Sequence, residues 1–385
     1  MYFQRLPLRL QILSVSAMSR PLRALIDLAA LRHNYQCACD LFPQSRAIAV
    51  LKANAYGHDA LRCAKALEGQ APAFAVASIE EALALRAGGI QQPIVLLEGF
   101  FEADELPEIA RQGFWTALHS QWQVDALLNA DLPAPVHAWL KFDSGMHRLG
   151  FSAKEFMSNW RALAASGKAM DMHLITHFAT ADLVDHRYRD IQLEHIAALR
   201  AQLESEGFQV PCCLANSPAT LTLQGAGTWH RPGVMLYGAD PLEQANPYSQ
   251  TLRPVMTLES ELIAVREVAA GEPVGYGGRF VAPRATRIGV VACGYGDGYD
   301  RHAREGTPLL VGGKRAPLAG RVSMDMMTVD ISHLEDAHVG SRVTLWGRAP
   351  DGAELSVSEV ANWCDTINYT LLTGVTPRVP RIFST

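Results

Sequence analysis

Residues 47–58 read Ala-Ile-Ala-Val-Leu-Lys-Ala-Asn-Ala-Tyr-Gly-His, an unbroken apolar run that stops at Lys52. Five apolar residues without polar alternation suit a strand covered on both faces, as in a parallel sheet. The same texture recurs at 24–28, 73–77, 94–97, 115–118, 137–140, 172–175 and 212–214. Amphipathic, helix-length stretches lie between these runs, among them 60–68, 79–87, 105–112, 121–128 and 185–206. About eight strands within roughly 215 residues is the arithmetic of an α/β (β/α)8 TIM-like barrel, with a doubly wound sheet as the alternative.

After Arg253-Pro254 the texture changes, and strand-like runs at 256–265, 288–292, 308–310, 326–329 and 343–346 crowd together without helices. Turn signals separate them, including Gly275-Tyr276-Gly277-Gly278 and Gly312-Gly313. A barrel over 18–252 followed by a smaller, mostly β domain over 253–385 is therefore expected. Residues 1–17 combine basic residues with a short, interrupted apolar stretch. They read as a tag or leader, with Met18 as the expected start.

With 385 residues, 49% of them hydrophobic, the chain exceeds what one core usually supports. The net charge of −5, from 34 basic and 39 acidic residues, favours neither nucleic acid nor an anionic membrane as partner. No apolar run reaches the ~18 residues of a membrane span. Seven cysteines, an odd count in no metal or redox spacing, read as free thiols. A cytoplasmic protein without a metal is expected.

Several polar residues directly follow expected barrel strands: Lys52, Lys141, His177, and the pair Asn216 and Ser217. A single lysine at a strand end is usually an exposed rim residue. Convergence of several such positions at the C-terminal mouth is what barrel active sites look like. A lysine at an apolar rim is partly desolvated, which lowers its pKa and makes its amine a nucleophile toward an aldehyde. Ser217-Pro218 opens a helix whose free N–H groups suit a phosphate. Arg231-Pro232-Gly233 sets a cation beside a residue that lets backbone approach a ligand.

These residues lie in a longer series of motifs. Residues 49–58, Lys141-Phe-Asp-Ser-Gly-Met-His-Arg148, Thr176-His-Phe-Ala-Thr-Ala-Asp182, Asn216-Ser217 and Arg231-Pro-Gly-Val-Met-Leu-Tyr-Gly238 come first. Gly294-Tyr-Gly-Asp-Gly-Tyr299, Gly320-Arg-Val-Ser-Met-Asp325 and Asn368-Tyr369 follow. In this order they resemble the bacterial alanine racemases over roughly residues 22 to 380.

The resemblance implies a homodimer with shared active sites that interconverts L- and D-alanine through a pyridoxal 5′-phosphate aldimine. It implies a role in D-alanine supply for peptidoglycan or in alanine catabolism. By the same resemblance, Lys52 holds the cofactor and is one catalytic base, and Tyr295 of the partner subunit is the other. Tyr56, Ser217, Gly233, Val234 and Tyr369 match phosphate-holding positions. His177 and Asn216 join the cofactor contacts, and Arg231 faces the pyridine nitrogen. His177 is expected to link Arg231 with Tyr295. Arg148 and the backbone of Met324 are expected to bind the substrate carboxylate, with Lys141, Asp325 and Tyr276 beside them. Lys141 next to Arg148 is expected to be carbamylated, since two unscreened cations would repel.

Three positions depart from the commonest wording: Asp59 for glycine, Ser144 for threonine, and Met326 where glutamine often stands. The alternatives are a broader-specificity racemase of the same fold, a non-enzymatic cofactor-binding barrel, and a barrel-plus-β decarboxylase. The motifs of the second domain weigh against the binding protein. Arg231, in a place where the decarboxylases carry an acid, weighs against the last.

Overall fold

Eight parallel strands close into a barrel: β2 (Arg46–Val50), β3 (Ala73–Val76), β4 (Ile94–Leu96), β5 (Trp115–Leu118), β6 (Val136–Lys141), β7 (Ala169–Ile175), β8 (Cys212–Cys213) and β9 (Trp229–His230). The computed structural model describes residues 19–183, 186–223, 227–242 and 246–385. The leader 1–17 and the expected start at Met18 lie outside the described residues. Helices follow most barrel strands, and the strands are apolar on both faces: Ile48, Ala49, Phe74, Val76, Ile94 and Leu96 are fully buried. That is the burial the unbroken apolar runs require.

The run at 24–28 does not open the barrel. Its strand, β1 (Arg23–Asp27), pairs antiparallel with β10 (Met256–Val268) and parallel with Arg381–Ser384 in the C-terminal sheet. The barrel is closed instead by β9, whose two residues pair with β8 and β2. The physical reason is visible along β1. Ala24 and Ile26 are fully buried while their neighbours are less so, the alternation of a sheet covered on one face. Asp27 then leaves the sheet and caps the helix Leu28–Leu41, accepting from the N–H groups of Ala29 and Ala30 at 2.9 Å each. Among the described residues, β1 and eight strands after residue 250 form a nine-stranded, mainly antiparallel sheet, joined by the helices Val357–Trp363 and Asn368–Gly374. Among the described residues, no helix is long and apolar enough to cross a membrane. All seven cysteines are free.

The segment leaving β2 is unusual. Ala53, Asn54, Ala55 and Tyr56 have φ of 52°, 53°, 55° and 51°, a left-handed turn built without glycine. Such a turn costs about 1–2 kcal/mol per residue and persists only when its surroundings over-determine it. Glu81 accepts from the N–H of Ala53 at 2.7 Å and of Ala77 at 2.8 Å, tying the turn to the end of β3. Asn54 accepts from the N–H of Ala60 at 2.9 Å. Fully buried His58 places Nδ1 2.9 Å from the carbonyls of both Ala55 and Tyr56 and stacks on Tyr237 at 4.5 Å. Burial pushes the pKa of His58 down to about 4, so the ring is neutral when it makes these contacts.

Asp59 follows at φ 75°, where glycine is favoured, and its carboxylate caps the helix Ala60–Leu67 through the N–H of Arg62 at 3.0 Å. Strain and cap oppose each other at this position. Asp59→Gly removes the strain and keeps a tolerable cap, so its urea stability should match or exceed that of the wild type. Asp59→Ala keeps the strain, loses the cap, and should be about 1–2 kcal/mol less stable. Equal stability of the alanine variant and the wild type would contradict this account.

Candidate active site

The residues expected at the barrel mouth line one cavity of about 530 Å³. Lys52 follows β2, Lys141 ends β6, Thr176 and His177 follow β7, Asn216 and Ser217 follow β8, and Arg231, Gly233 and Val234 follow β9. Arg148 enters from the loop after β6, and Tyr369 from the helix Asn368–Gly374. Tyr56, at the end of the left-handed turn, completes the wall. Glu98, just past β4, lines the cavity too and is its only carboxylate against Lys52, Lys141, Arg148 and Arg231. Sequence reading missed Glu98, although it follows an apolar run by the same rule that singled out Lys52.

Burial and neighbouring cations set the ionisation here. Lys52 lies below the ordinary lysine range because it is desolvated; Arg148 and Arg231 add to this while Glu98 opposes it. Lys141 is pushed down to about 8 by burial, then by Arg231 and Arg148. Burial, followed by the same cations, holds His177 well below its usual value, so its imidazole is neutral. Tyr369 is raised to about 12 by burial.

Arg231 is fixed from two sides. Its Nη1 donates to the carbonyl of Cys213 at 2.7 Å and its Nη2 to that of Thr176 at 2.8 Å. Within the chain, Arg231 and His177 share no hydrogen bond among the described residues, and the expected link onward to Tyr295 runs to a second copy of the chain. The guanidinium is drawn between the carbonyl ends of β7 and β8, and His177 Nε2 instead accepts from the Asn216 amide at 3.4 Å. Ser144 keeps the role a threonine hydroxyl would have. It is buried and lies 2.9 Å from Thr176 Oγ1, which donates to the carbonyl of Phe142.

The donor set fits a phosphorylated pyridine aldehyde. The hydroxyl-bearing residues Tyr56, Ser217 and Tyr369 line the cavity together. A Cβ at Gly233 would lie 2.7 Å from Tyr56 Oη, so only glycine leaves the backbone open there. Ser217 Oγ accepts from the N–H of Gly233 at 2.7 Å, which ties the two donor loops together. The desolvated amine of Lys52 suits an aldehyde carbon.

The remaining expected residues stand apart from this cavity. Tyr276 is 70% exposed, Met324 53% and Tyr295 38%, all on the surface of the C-terminal region. Met326 is also exposed there, and Asp325 pairs with Arg378. The Tyr295 ring lies under the Arg301 guanidinium at 5.7 Å.

Known proteins resemble the chain along nearly its whole length. Family models described as alanine racemase, N-terminal domain, and alanine racemase, C-terminal domain, match residues 26–241 and 255–383. An alanine racemase of Chromohalobacter salexigens is 62% identical, covering 94% of this chain and 98% of its own. A catabolic alanine racemase of Pseudomonas putida is 52% identical, with coverages of 94% and 98%. Among solved structures, the biosynthetic alanine racemase of Pseudomonas aeruginosa has a TM-score of 0.89 at 47% identity, covering 95% of this chain and 100% of its own.

The lowered pKa of Lys141 makes a stability prediction with a definite sign. Its folded value of about 8 lies below the ordinary 10.5, so the unfolded chain binds the extra proton between these limits and stability rises with pH across them. In bicarbonate-free buffer, Lys141→Met should be more stable than wild type near pH 7, by up to on the order of 3 kcal/mol. The difference should shrink above about pH 8 and close near 10.5. Urea unfolding across this range measures it, and a variant no more stable at pH 7 would contradict the shift.

Proposed function

Because the chain belongs to the alanine racemase family, we propose that it interconverts L- and D-alanine with pyridoxal 5′-phosphate held at the barrel mouth. The observation that carries this reading is the meeting, in one cavity, of a desolvated lysine, a carbonyl-anchored arginine and a set of hydroxyl donors. Lys52 would hold the aldehyde carbon. Tyr56, Ser217, Tyr369 and the backbone at Gly233 and Val234 would hold the phosphate, with His177 and Asn216 bordering the ring. When bound there, pyridoxal phosphate makes the α-proton of an attached amino acid removable.

Arg231 would border the ring nitrogen in this arrangement. An arginine cannot take up a proton, so it would leave that nitrogen unprotonated and favour plain proton exchange over side reactions. Arg148 and the N–H of Met324 orient the substrate carboxylate. Lys141, with a pKa of about 8, keeps a fraction of free amine at neutral pH. That amine adds carbon dioxide with loss of a proton and becomes an anion that pairs with Arg148. A ¹³C-bicarbonate signal in the wild type, lost in Lys141→Met, is the expected signature.

Inverting the α-carbon takes two bases on opposite faces. Lys52 serves one. The other is a tyrosine of a second copy of the chain, in a homodimer with shared sites. The motif resemblance names Tyr295. Exposure favours a second reading, Tyr276, which sits between the short strands Pro273–Val274 and Phe280–Val281 and is the more exposed of the two. Its hydroxyl has no hydrogen bond among the described residues.

The relatives include enzymes named biosynthetic and catabolic, and both roles use the same residues. Free thiols suit a reducing compartment, in keeping with a cytoplasmic enzyme. Purified protein, cofactor and a panel of L-amino acids, followed by chiral chromatography, should yield D-alanine as the main product. Equal turnover of larger substrates would favour the broader-specificity racemase, and no D-alanine would overturn the reading. Lys52→Ala should abolish both turnover and the visible band of the bound cofactor.

Mixing subunits decides the second base. Tyr276→Phe and Tyr295→Phe are each assayed alone and after exchange with Lys52→Ala. The true base variant should be nearly inactive alone and recover to about a quarter of wild type, since half the dimers are mixed and each has one intact site. We expect this of Tyr276→Phe. The same result for Tyr295→Phe alone would return the role to Tyr295, and recovery in neither, with exchange confirmed, would exclude a shared site.

A further inference from the structure

Asp297 is fully buried, belongs to the loop that carries Tyr295, and meets three hydrogen-bond donors and a further ion-pair partner on its two oxygens. Oδ1 accepts from Arg20 Nη1 at 2.5 Å and pairs with the Arg378 guanidinium, whose Nε lies 2.9 Å away. Oδ2 accepts from Arg20 Nη2 at 2.7 Å and the N–H of Gly294 at 2.9 Å. The same two arginines reach the neighbouring loop. Arg20 Nη2 donates to the carbonyl of Asp325 at 2.9 Å, and Arg378 Nη2 to its carboxylate at 2.6 Å. Guanidinium groups from opposite ends of the chain thus clamp the Tyr295 loop to the Met324–Asp325 loop.

The backbones of the two loops are also joined. The N–H of Tyr295 donates to the carbonyl of Ser323 at 3.0 Å, and that of Gly296 to the carbonyl of Met324 at 2.9 Å. Side chains would prevent this approach. A Cβ on Gly294 would lie 2.3 Å from Ser323 O, and one on Gly296 would lie 3.0 Å from Met324 O.

A buried ion network is a weak device for stability, because desolvation offsets most of the attraction, but it permits one relative placement of the groups it joins. What this one places is two exposed residues, Tyr295 and Met324, side by side on the surface of the C-terminal region. We propose that Asp297, with Arg20 and Arg378, is a positioning group that fixes the Tyr295 ring and the Met324 N–H for the active site of a second copy of the chain. This rests on the shared-site reading above. It does not depend on which tyrosine is the base.

Two variants test it. Asp297→Asn keeps the shape and removes the charge. Arg378→Gln, at a half-exposed residue, carries the test if the first fails to fold. Each should lower kcat by about tenfold to a hundredfold, as small misplacements do. The absorbance titration with pyridoxal phosphate should be unchanged, because the cofactor cavity lies in the barrel. Arg378→Lys should restore part of the loss. After exchange with Lys52→Ala, each variant should recover to about a quarter of wild type, since every mixed dimer pairs an intact Lys52 with an intact clamp. A weakened cofactor titration, an unchanged kcat in both variants, or no recovery where the base-tyrosine variant does recover would overturn the positioning role. If no tyrosine variant recovers either, the shared-site reading fails and takes the proposal with it.

Discussion

Four cationic side chains share one partly desolvated cavity with a single carboxylate, and most of the site's chemistry follows from that imbalance. Charges a few ångströms apart in low dielectric repel by kilocalories rather than tenths. The cluster relieves this where it can. Lys52 and Lys141 lose affinity for their protons, and His177 stays neutral. Arg231 cannot deprotonate, so it is anchored on two strand-end carbonyls instead. What remains is a strong demand for anions. A phosphate, a substrate carboxylate and a carbamate on Lys141 would each answer it, and the proposed reaction brings all three.

Placing these groups requires backbone that the barrel alone does not provide. Lys52 must leave β2 and the chain must turn at once, so that Tyr56 can stand opposite Gly233. The left-handed turn does this in four residues. Its strain is balanced by Glu81, Asn54 and the neutral ring of His58, none of which enters the cavity. Tyr237 supports the same corner by donating to the carbonyl of Val50 at 2.8 Å. The turn that follows Lys52 is therefore held by a surrounding set of hydrogen bonds to backbone, so His58 and Glu81 can influence Lys52 without entering the cavity.

The barrel mouth was largely legible because parallel strands buried on both faces give unbroken apolar runs, and polar residues at their ends stand out. Lys52, Lys141, His177, Asn216 and Ser217 were found in this way, and all line the cavity. Two strands misled for opposite reasons. Apolar-looking β1 belongs to the C-terminal sheet, and its weak alternation was the available signal. With only two residues, β9 is too short to leave a pattern. Arg148 came from motif resemblance, since no periodicity marks an arginine in a loop, whereas Arg231 stood out beside Gly233 and took only its role from the resemblance. The clamp of Arg20 on Asp297 joins residues 277 apart, and nothing local in either segment announces it.

The proposed division of the site between two chains rests on what the lining of the cavity lacks. Every cationic and hydroxyl group of the cavity comes from the barrel, apart from Tyr369. Tyr369 is a poor base for the open face. Burial raises its pKa to about 12, and its ring stands 5.9 Å from that of Tyr56, at the end where the phosphate is proposed to bind. The phenols that could approach the face opposite Lys52 are Tyr276 and Tyr295, and neither lines the cavity of its own chain. Tyr295 is exposed beside Met324 and Tyr276 is exposed in the same C-terminal region, and large apolar groups left exposed suit a surface that a partner covers. The proposed two-fold pair would answer both facts together. It would cover that surface and bring a phenol over the partner's barrel mouth from the side Lys52 cannot reach.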